Sequence, residues 1–430
     1  MNVSAEMIKK ILRYRWLIYI MVAIAYFIVY FHRTSTAVMA QELSADFGLT
    51  PMALGLFGSM YFYAYAMVQL PAGILADRWG ARKTISIFVL LAGMGAALFA
   101  FSANFHIALI GRFIVGLGVG FVYVPAVRLM SDWFRKNEFG TYSGLLVAIG
   151  NAGSLASAVP LVLLMGVIGW RNSMLAVGIV SMMVAMVIYA VVRNKPKDLG
   201  WPSLNEVQGE DDTAESSNYG ILASLKPIIK NYNIWTIIVT MSAMQGSLMG
   251  FQGLWAGPYL ANVMEMSSTS AGSYLMLVAV GMIVGAPTAG LISDRVMHSR
   301  KKVVLIGLTG FIIIWCYLVF MTGSLTLAML RVILFLFGFF AGFSVILYAN
   351  CKENIDPQSV GTGVGFLNVF VFLVGALYQQ IMGIIINGYE KVGGLIPPTA
   401  FHSAFLLCLI SLVVAALFYL TQKENLAPYR

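Results

Sequence analysis

Stretches of about 20 apolar residues recur from one end of this chain to the other. Each is long enough to cross roughly 30 Å of hydrocarbon as a helix. No other feature restricts the fold so strongly, because a backbone in lipid must satisfy its own hydrogen bonds. The stretches lack the period-2 alternation of a barrel wall. Twelve helical spans are therefore expected, at 16–43, 51–74, 84–103, 107–129, 140–167, 172–192, 233–260, 270–291, 303–322, 325–350, 360–387 and 399–421. Composition agrees: only 10% of the 430 residues are charged, against roughly 25% in soluble domains.

The formal net charge of +9 would suit a nucleic acid or another acidic partner, but its placement points to topology. One side of the membrane holds 21 Lys and Arg, from Lys9, Lys10, Arg13 and Arg15 through to Lys423 and Arg430. The loops of the other side hold only Arg171 and Lys391. By the positive-inside rule the crowded side is cytoplasmic, so both termini are expected there, in a multi-pass inner-membrane protein with lipid, not nucleic acid, around it. The small residues Ala37-Val38-Met39-Ala40 make no cleavage site, since the segment before them is too long and carries Arg33. Cys316, Cys351 and Cys408 lie in or at the end of apolar spans and form no disulfide framework. Four scattered histidines make no metal cluster, and no nucleotide-binding loop is present. Neither an enzyme, a primary pump nor a cofactor is expected.

The polar segment 193–230, with Gly200, Pro202 and Glu210-Asp211-Asp212, reads as a cytoplasmic linker. It separates an N-terminal six-helix bundle, 1–192, from a C-terminal one, 231–430. The halves repeat one another. Gly73-x-x-x-Asp77-Arg78-x-Gly80-x-Arg82-Lys83 follows the second span, and Gly290-x-x-x-Asp294-Arg295 follows the eighth, 217 residues later. Arg112 opens the fourth span and Arg331 the tenth, 219 residues later. Parallel six-helix repeats around a central crevice are a transporter architecture.

The first of these loops resembles the signature loop of the major facilitator superfamily, complete at Gly73, Asp77, Arg78, Gly80, Arg82 and Lys83. The second copy, Asp294-Arg295, is degraded. Arg112-x-x-x-Gly116-x-Gly118-x-Gly120 resembles the family's helix-four motif. The resemblance covers the whole chain. It implies an all-α membrane protein of twelve transmembrane helices in two pseudo-symmetric bundles, working by alternating access. It also implies a gating role for the loop residues of both halves and a coupling role for Arg112. The chain is expected to act as a monomer.

For the substrate site, Tyr26, Tyr30 and Arg33 recur at i, i+4 and i+7 and share one face of the first span. If that helix runs to about Ser44, Arg33 lies near its middle, where an unpaired cation suggests a water-filled cavity or an anionic ligand. The other reading is an early helix end, with Arg33 snorkelling to the surface. A guanidinium offers a planar fork for carboxylate or phosphate. This stretch resembles the first helix of organic-anion and phosphate-ester carriers of the superfamily, which implies a small anionic or zwitterionic metabolite as substrate. Tyr61 and Tyr65, Gln245, Gln252 and Trp255, Tyr348, Asn368 and Gln379 are further candidate lining residues. Gly and Pro within Phe251–Tyr259 predict a broken helix there. No carboxylate falls at mid-membrane, and Glu42 reads as lying outside. His32 is the candidate proton carrier, because histidine titrates near neutrality. Exchange or facilitated diffusion without protons stays open. So do efflux of drugs or siderophores and a transporter-like sensor.

Overall fold

Short polar caps and two left-handed glycines set where these helices begin and turn. Thr50 accepts from the Ala53 N–H, Asn104 from Ile107, Ser267 from Ser270 and Thr326 from Met329, each satisfying an orphan donor of a first helical turn. Gly80 (φ 79°) and Gly169 (φ 76°) turn the chain between spans. A side chain at Gly80 would be strained by the positive φ, and its Cβ would displace the Asn194 amide, 2.5 Å away.

The computed structural model describes residues 5–202, 221–356 and 359–424. The acidic run Glu210-Asp211-Asp212 and Arg430 lie outside the described residues. Helix α1 spans Ala5–Phe47. Helix α2 runs Pro51–Met67 and, after a break at Val68, Gln69–Trp79. Then come α3, Ala81–Ala100, and α4, Phe105–Trp133. Helix α5 runs Lys136–Ala156 and on to residue 168, where Gly169 divides the continuous Val159–Val191 helix, and α6 occupies 170–191. In the second half, α7 is Tyr232–Asn262, α8 Ser268–Met297, α9 Arg300–Phe320, α10 Leu327–Glu353, α11 Val360–Asn387 and α12 Pro398–Leu420. Ten described helical stretches are, by length and composition, able to cross a membrane. The break in α2 and the division at Gly169 account for the other two of the twelve expected spans.

Side-chain bonds fix the packing. Arg15 bonds Glu138 at 2.7 Å, the Tyr19 hydroxyl donates to the Tyr142 carbonyl at 3.0 Å, and Thr34 meets Ser157 at 2.6 Å, all at one sequence separation of 123. A constant separation over 20 residues means that α1 and α5 run parallel. Gly153 permits this, since a Cβ there would lie 2.1 Å from the Phe27 carbonyl oxygen. The second half repeats the arrangement, with Gly246 and Gly250 of α7 against Tyr378 of α11. Between the halves, α2 lies antiparallel to α11, from Gly55 beside Gly383 to Leu70 beside Gly365. Apolar side chains such as Val167, Phe101, Phe320 and Leu417 stand outward, 63–83% exposed, as a surface facing hydrocarbon requires.

The described parts of the linker pack against the helices. Its described start turns through Pro196–Leu199 and sets Trp201 edge-on to Tyr14 of α1, while Ile228 is buried beside Gly363.

Candidate functional site

Helix α1 continues 14 residues beyond Arg33, about 21 Å of rise, so Arg33 does not sit at a helix end. Its guanidinium lies over three rings: Tyr30 at 5.2 Å, Phe372 at 5.4 Å and Phe62 at 5.8 Å. No carboxylate pairs with it among the described residues. Cation–π contacts contribute about 0.5–2 kcal/mol each, too little to replace the hydration of a charge at that depth. The half-buried arginine therefore keeps donors that no protein group among the described residues takes, where α1, α2 and α11 meet. Tyr30 and Tyr26 are in edge contact at 5.1 Å, and Tyr26 stacks on Tyr123 of α4 at 5.3 Å. Tyr65 packs on Phe372 at 4.1 Å. In the C-terminal half, the Tyr348 hydroxyl donates to Asn368 Oδ1 at 2.8 Å, and Gln245 Nε2 donates to Ser344 Oγ at 2.6 Å. Gln252 is half-buried on a π-helical turn, Phe251–Trp255, where the Gly and Pro residues predict a break.

The other half of the expected constellation lies elsewhere. His32 is fully buried, and neither ring nitrogen has a hydrogen-bond partner. One residue along a helix is a 100° rotation, so His32 leaves the Arg33 face. Arg112 reaches α1 from α4: Nη1 donates to the His32 carbonyl at 3.1 Å, and the guanidinium lies over Phe57 and Tyr61. It is 1% exposed, and its Nε has no partner. Tyr61 is fully buried and donates to the Val29 carbonyl. It belongs to this packing behind α1 and not to the lining. Gln379 also departs from expectation, and Trp255 lies away from Arg33, toward the ends of α1 and α7 remote from the termini. The Trp255 indole donates to the Gln379 carbonyl at 2.9 Å, and Gln379 Nε2 donates to the Met249 carbonyl at 2.9 Å. Both are fully buried, and Gln379 fills the space beside Gly58 of α2. They tie α7 to α11 and wedge α2, because α2 and α11 pack too closely to leave an open wall.

Comparison with known proteins places this architecture. The family model of the Major Facilitator Superfamily matches residues 22–379 and 256–428. The chain belongs to the Major Facilitator Superfamily. It is a multi-pass membrane transporter and not an enzyme. It is 22% identical over 405 residues to the "probable sulfoacetate transporter SauU" of Cupriavidus necator, with 93% of each chain covered. It is 24% identical to a "probable hexose phosphate transport protein" of Chlamydia trachomatis, covering 95% of this chain and 92% of the other. It is also 24% identical to the "membrane sensor protein UhpC" of Salmonella typhimurium, covering 85% and 84%. In fold it is similar to a bacterial homologue of the human lysosomal transporter Spinster, solved inward-facing and occupied, with TM-score 0.75, 18% identity and 95% and 97% of the chains covered.

The loop motif of this superfamily member is built within each half. The Arg82 backbone N–H donates to Asn194 Oδ1 at 2.8 Å, its Nε donates to the Tyr189 carbonyl at 2.8 Å, and the guanidinium covers the Tyr189 ring. This fastens the loop to the end of α6. Gly73 has open space around it; Asp77 and Arg78 are exposed, and Asp77 has no ion pair among the described residues. In the second half Asp294 pairs with Arg300, which also bonds Glu353 at 3.0 Å and Ser293 at 2.8 Å. Arg295 is exposed. Sequence reasoning overlooked Phe62, Tyr123 and Phe372. Phe372 is one turn from Asn368, and Tyr123 opens the second segment of α4 just before Pro125; both signals were legible.

Proposed function

We propose that this transporter is a secondary carrier for a small anionic metabolite, such as a sulfonate, a sugar acid or a phosphate ester, moved by alternating access. The supporting observation is Arg33: a mid-span guanidinium seated on three rings, with no protein carboxylate among the described residues. The names of two relatives, a "probable sulfoacetate transporter" and a "probable hexose phosphate transport protein", accord with that chemistry. Tyr26, Tyr30, Tyr65, Gln245, Gln252, Tyr348 and Asn368 line the route, and the basic side is cytoplasmic, in the inner membrane. The carrier acts as a monomer. Coupling is assigned to protons, taken up at the buried His32 whose carbonyl holds Arg112. Because His32 and Arg33 occupy different faces of α1, proton and anion meet through the rotation of one helix and not in one cavity.

The test is uptake of sulfoacetate, glucose 6-phosphate and glucarate into proteoliposomes, with and without an inward proton gradient. At least one anion is expected to accumulate in the wild type and none with Arg33→Ala. His32→Gln is expected to remove the response to the gradient while keeping exchange. Uptake indifferent to Arg33 sinks the anion reading, and equal uptake with and without the gradient sinks the proton. The sensor reading, favoured by the likeness to UhpC, predicts binding of the anion without any uptake.

A further inference from the structure

The α1 face that carries Tyr26, Tyr30 and Arg33 continues through Ala37, Ala40 and Ser44, at helical spacing. At Ala37 the face is blocked: a Cβ on Gly257 of α7 would lie 1.9 Å from the Ala37 carbonyl oxygen. Beyond the block, on the side away from the termini, the same face opens into a second pocket of about 300 Å³. Gln41 and Ser44 line it from α1, Trp255 and Asn262 from α7, and Lys391 and Ile396 from the α11–α12 connection. No carboxylate is among its lining residues.

Lys391 does not hang from a loose loop. Val392 and Leu395 exchange two backbone hydrogen bonds, of 2.9 and 3.1 Å, around Gly393 (φ 60°) and Gly394 (φ 85°). This is the pattern of a tight turn with both central residues left-handed. The Ile396 N–H then donates to Asn262 Oδ1 at 3.1 Å, tying the turn to α7. The other basic residue of this side, Arg171, is occupied by Asp46 and by the Ala100 and Ser102 carbonyls. Lys391 has no ion pair among the described residues, and the exposed Glu390 beside it does not line the pocket.

We propose that this pocket is an external antechamber, where Lys391 with Gln41, Ser44 and Asn262 holds the anionic substrate before the Ala37–Gly257 contact parts. From Gln41 to Arg33 is eight residues of α1, about 12 Å of rise, so an anion released from Lys391 reaches Arg33 along one helix face. The inference rests on the anion-carrier reading. A cation lining the pocket raises the local concentration of anions and speeds their arrival. It acts where substrate enters from outside and, by reversibility, where it leaves to the outside.

Lys391→Gln and Lys391→Glu are compared with wild type in oriented proteoliposomes, with the anion that the wild type takes up from the sulfoacetate, glucose 6-phosphate and glucarate panel. The external KM is expected to rise about three- to tenfold at low ionic strength, more for Glu than for Gln. The rise should fade in high salt, while the melting temperature stays at its wild-type value and kcat/KM falls by one factor in both directions, as reversibility requires. An unchanged external KM in Lys391→Glu overturns the antechamber, as does a rise that high salt leaves intact. Wild-type protein that takes up none of the three anions, or uptake that survives Arg33→Ala, overturns the anion reading itself and the antechamber with it.

Discussion

Two arginines lie deep in the N-terminal half and are satisfied in different ways. Arg33 is half-buried against three rings, with no hydrogen-bond acceptor among the described residues, whereas Arg112 is fully buried, with a carbonyl oxygen and two rings. Charge-assisted hydrogen bonds from a guanidinium fork contribute roughly 1.5–3 kcal/mol, and a lysine reproduces the charge without the fork. Arg33→Lys is therefore expected to lower kcat/KM for the anion at least tenfold, about 1.4 kcal/mol, with an unchanged melting temperature. Arg112 behaves differently. Replacing a buried, uncompensated cation by an apolar isostere is commonly neutral or stabilising. Arg112→Met should thus melt at or above the wild-type temperature in detergent yet lose proton-driven accumulation. A large fall in melting temperature would make Arg112 a purely structural bolt.

Among the elements, the breaks and the glycines divide the work. The π-helical turn at Phe251–Trp255 aims Phe251 into an aromatic core with Trp315, Phe337 and Phe405, and Gly and Pro in that stretch announce it. The partners of the glycines could not be anticipated. Gly257 meets Ala37, Gly55 meets the Gln379 carbonyl and Gly272 meets Ala158 and Val159, so all three join one half to the other on the side away from the termini. These backbone contacts close that side with few polar bonds across it, such as Ser268 Oγ to Gln41 at 3.3 Å. Gly257→Val cannot be accommodated against a backbone oxygen at 1.9 Å. It should hold this side apart: in a background lacking Cys316, Cys351 and Cys408, a cysteine at position 30 should label faster from outside, with transport reduced. Unaltered labelling would show that the contact is not the seal.

At the scale of the whole molecule, the described ion pairs each lie within one half, as with Arg15–Glu138, Arg171–Asp46 and Arg300–Glu353. Each bundle is thereby stiffened as a body, while the surface between bundles is held among the described residues by glycine contacts, ring contacts such as Tyr65 on Phe372 and a few uncharged hydrogen bonds, all of which can part. On the side of the termini Asp77 is exposed and unpaired among the described residues, as a latch would be when that side is not clasped. A carboxylate facing a helix N-terminus contributes about 0.3–1 kcal/mol, and up to ~2 kcal/mol when partly buried. Asp77→Asn is accordingly expected to insert normally and to slow turnover roughly three- to tenfold, with little change in KM. Unchanged turnover would leave the motif an anchor for topology alone.

Much of this was legible in one dimension because the membrane is an exacting solvent. It forces apolar runs into helices of a fixed minimum length and sorts Lys and Arg to one side, and so the spans, the six-plus-six division and the Tyr26–Tyr30–Arg33 face all follow from the order of residues. What packs against a given helix face does not follow from it. Whether Trp255 and Gln379 line a path or lock α7 to α11, and where His32 points, depended on how closely two backbones approach. That distance is set by glycines whose partners lie a hundred or more residues away.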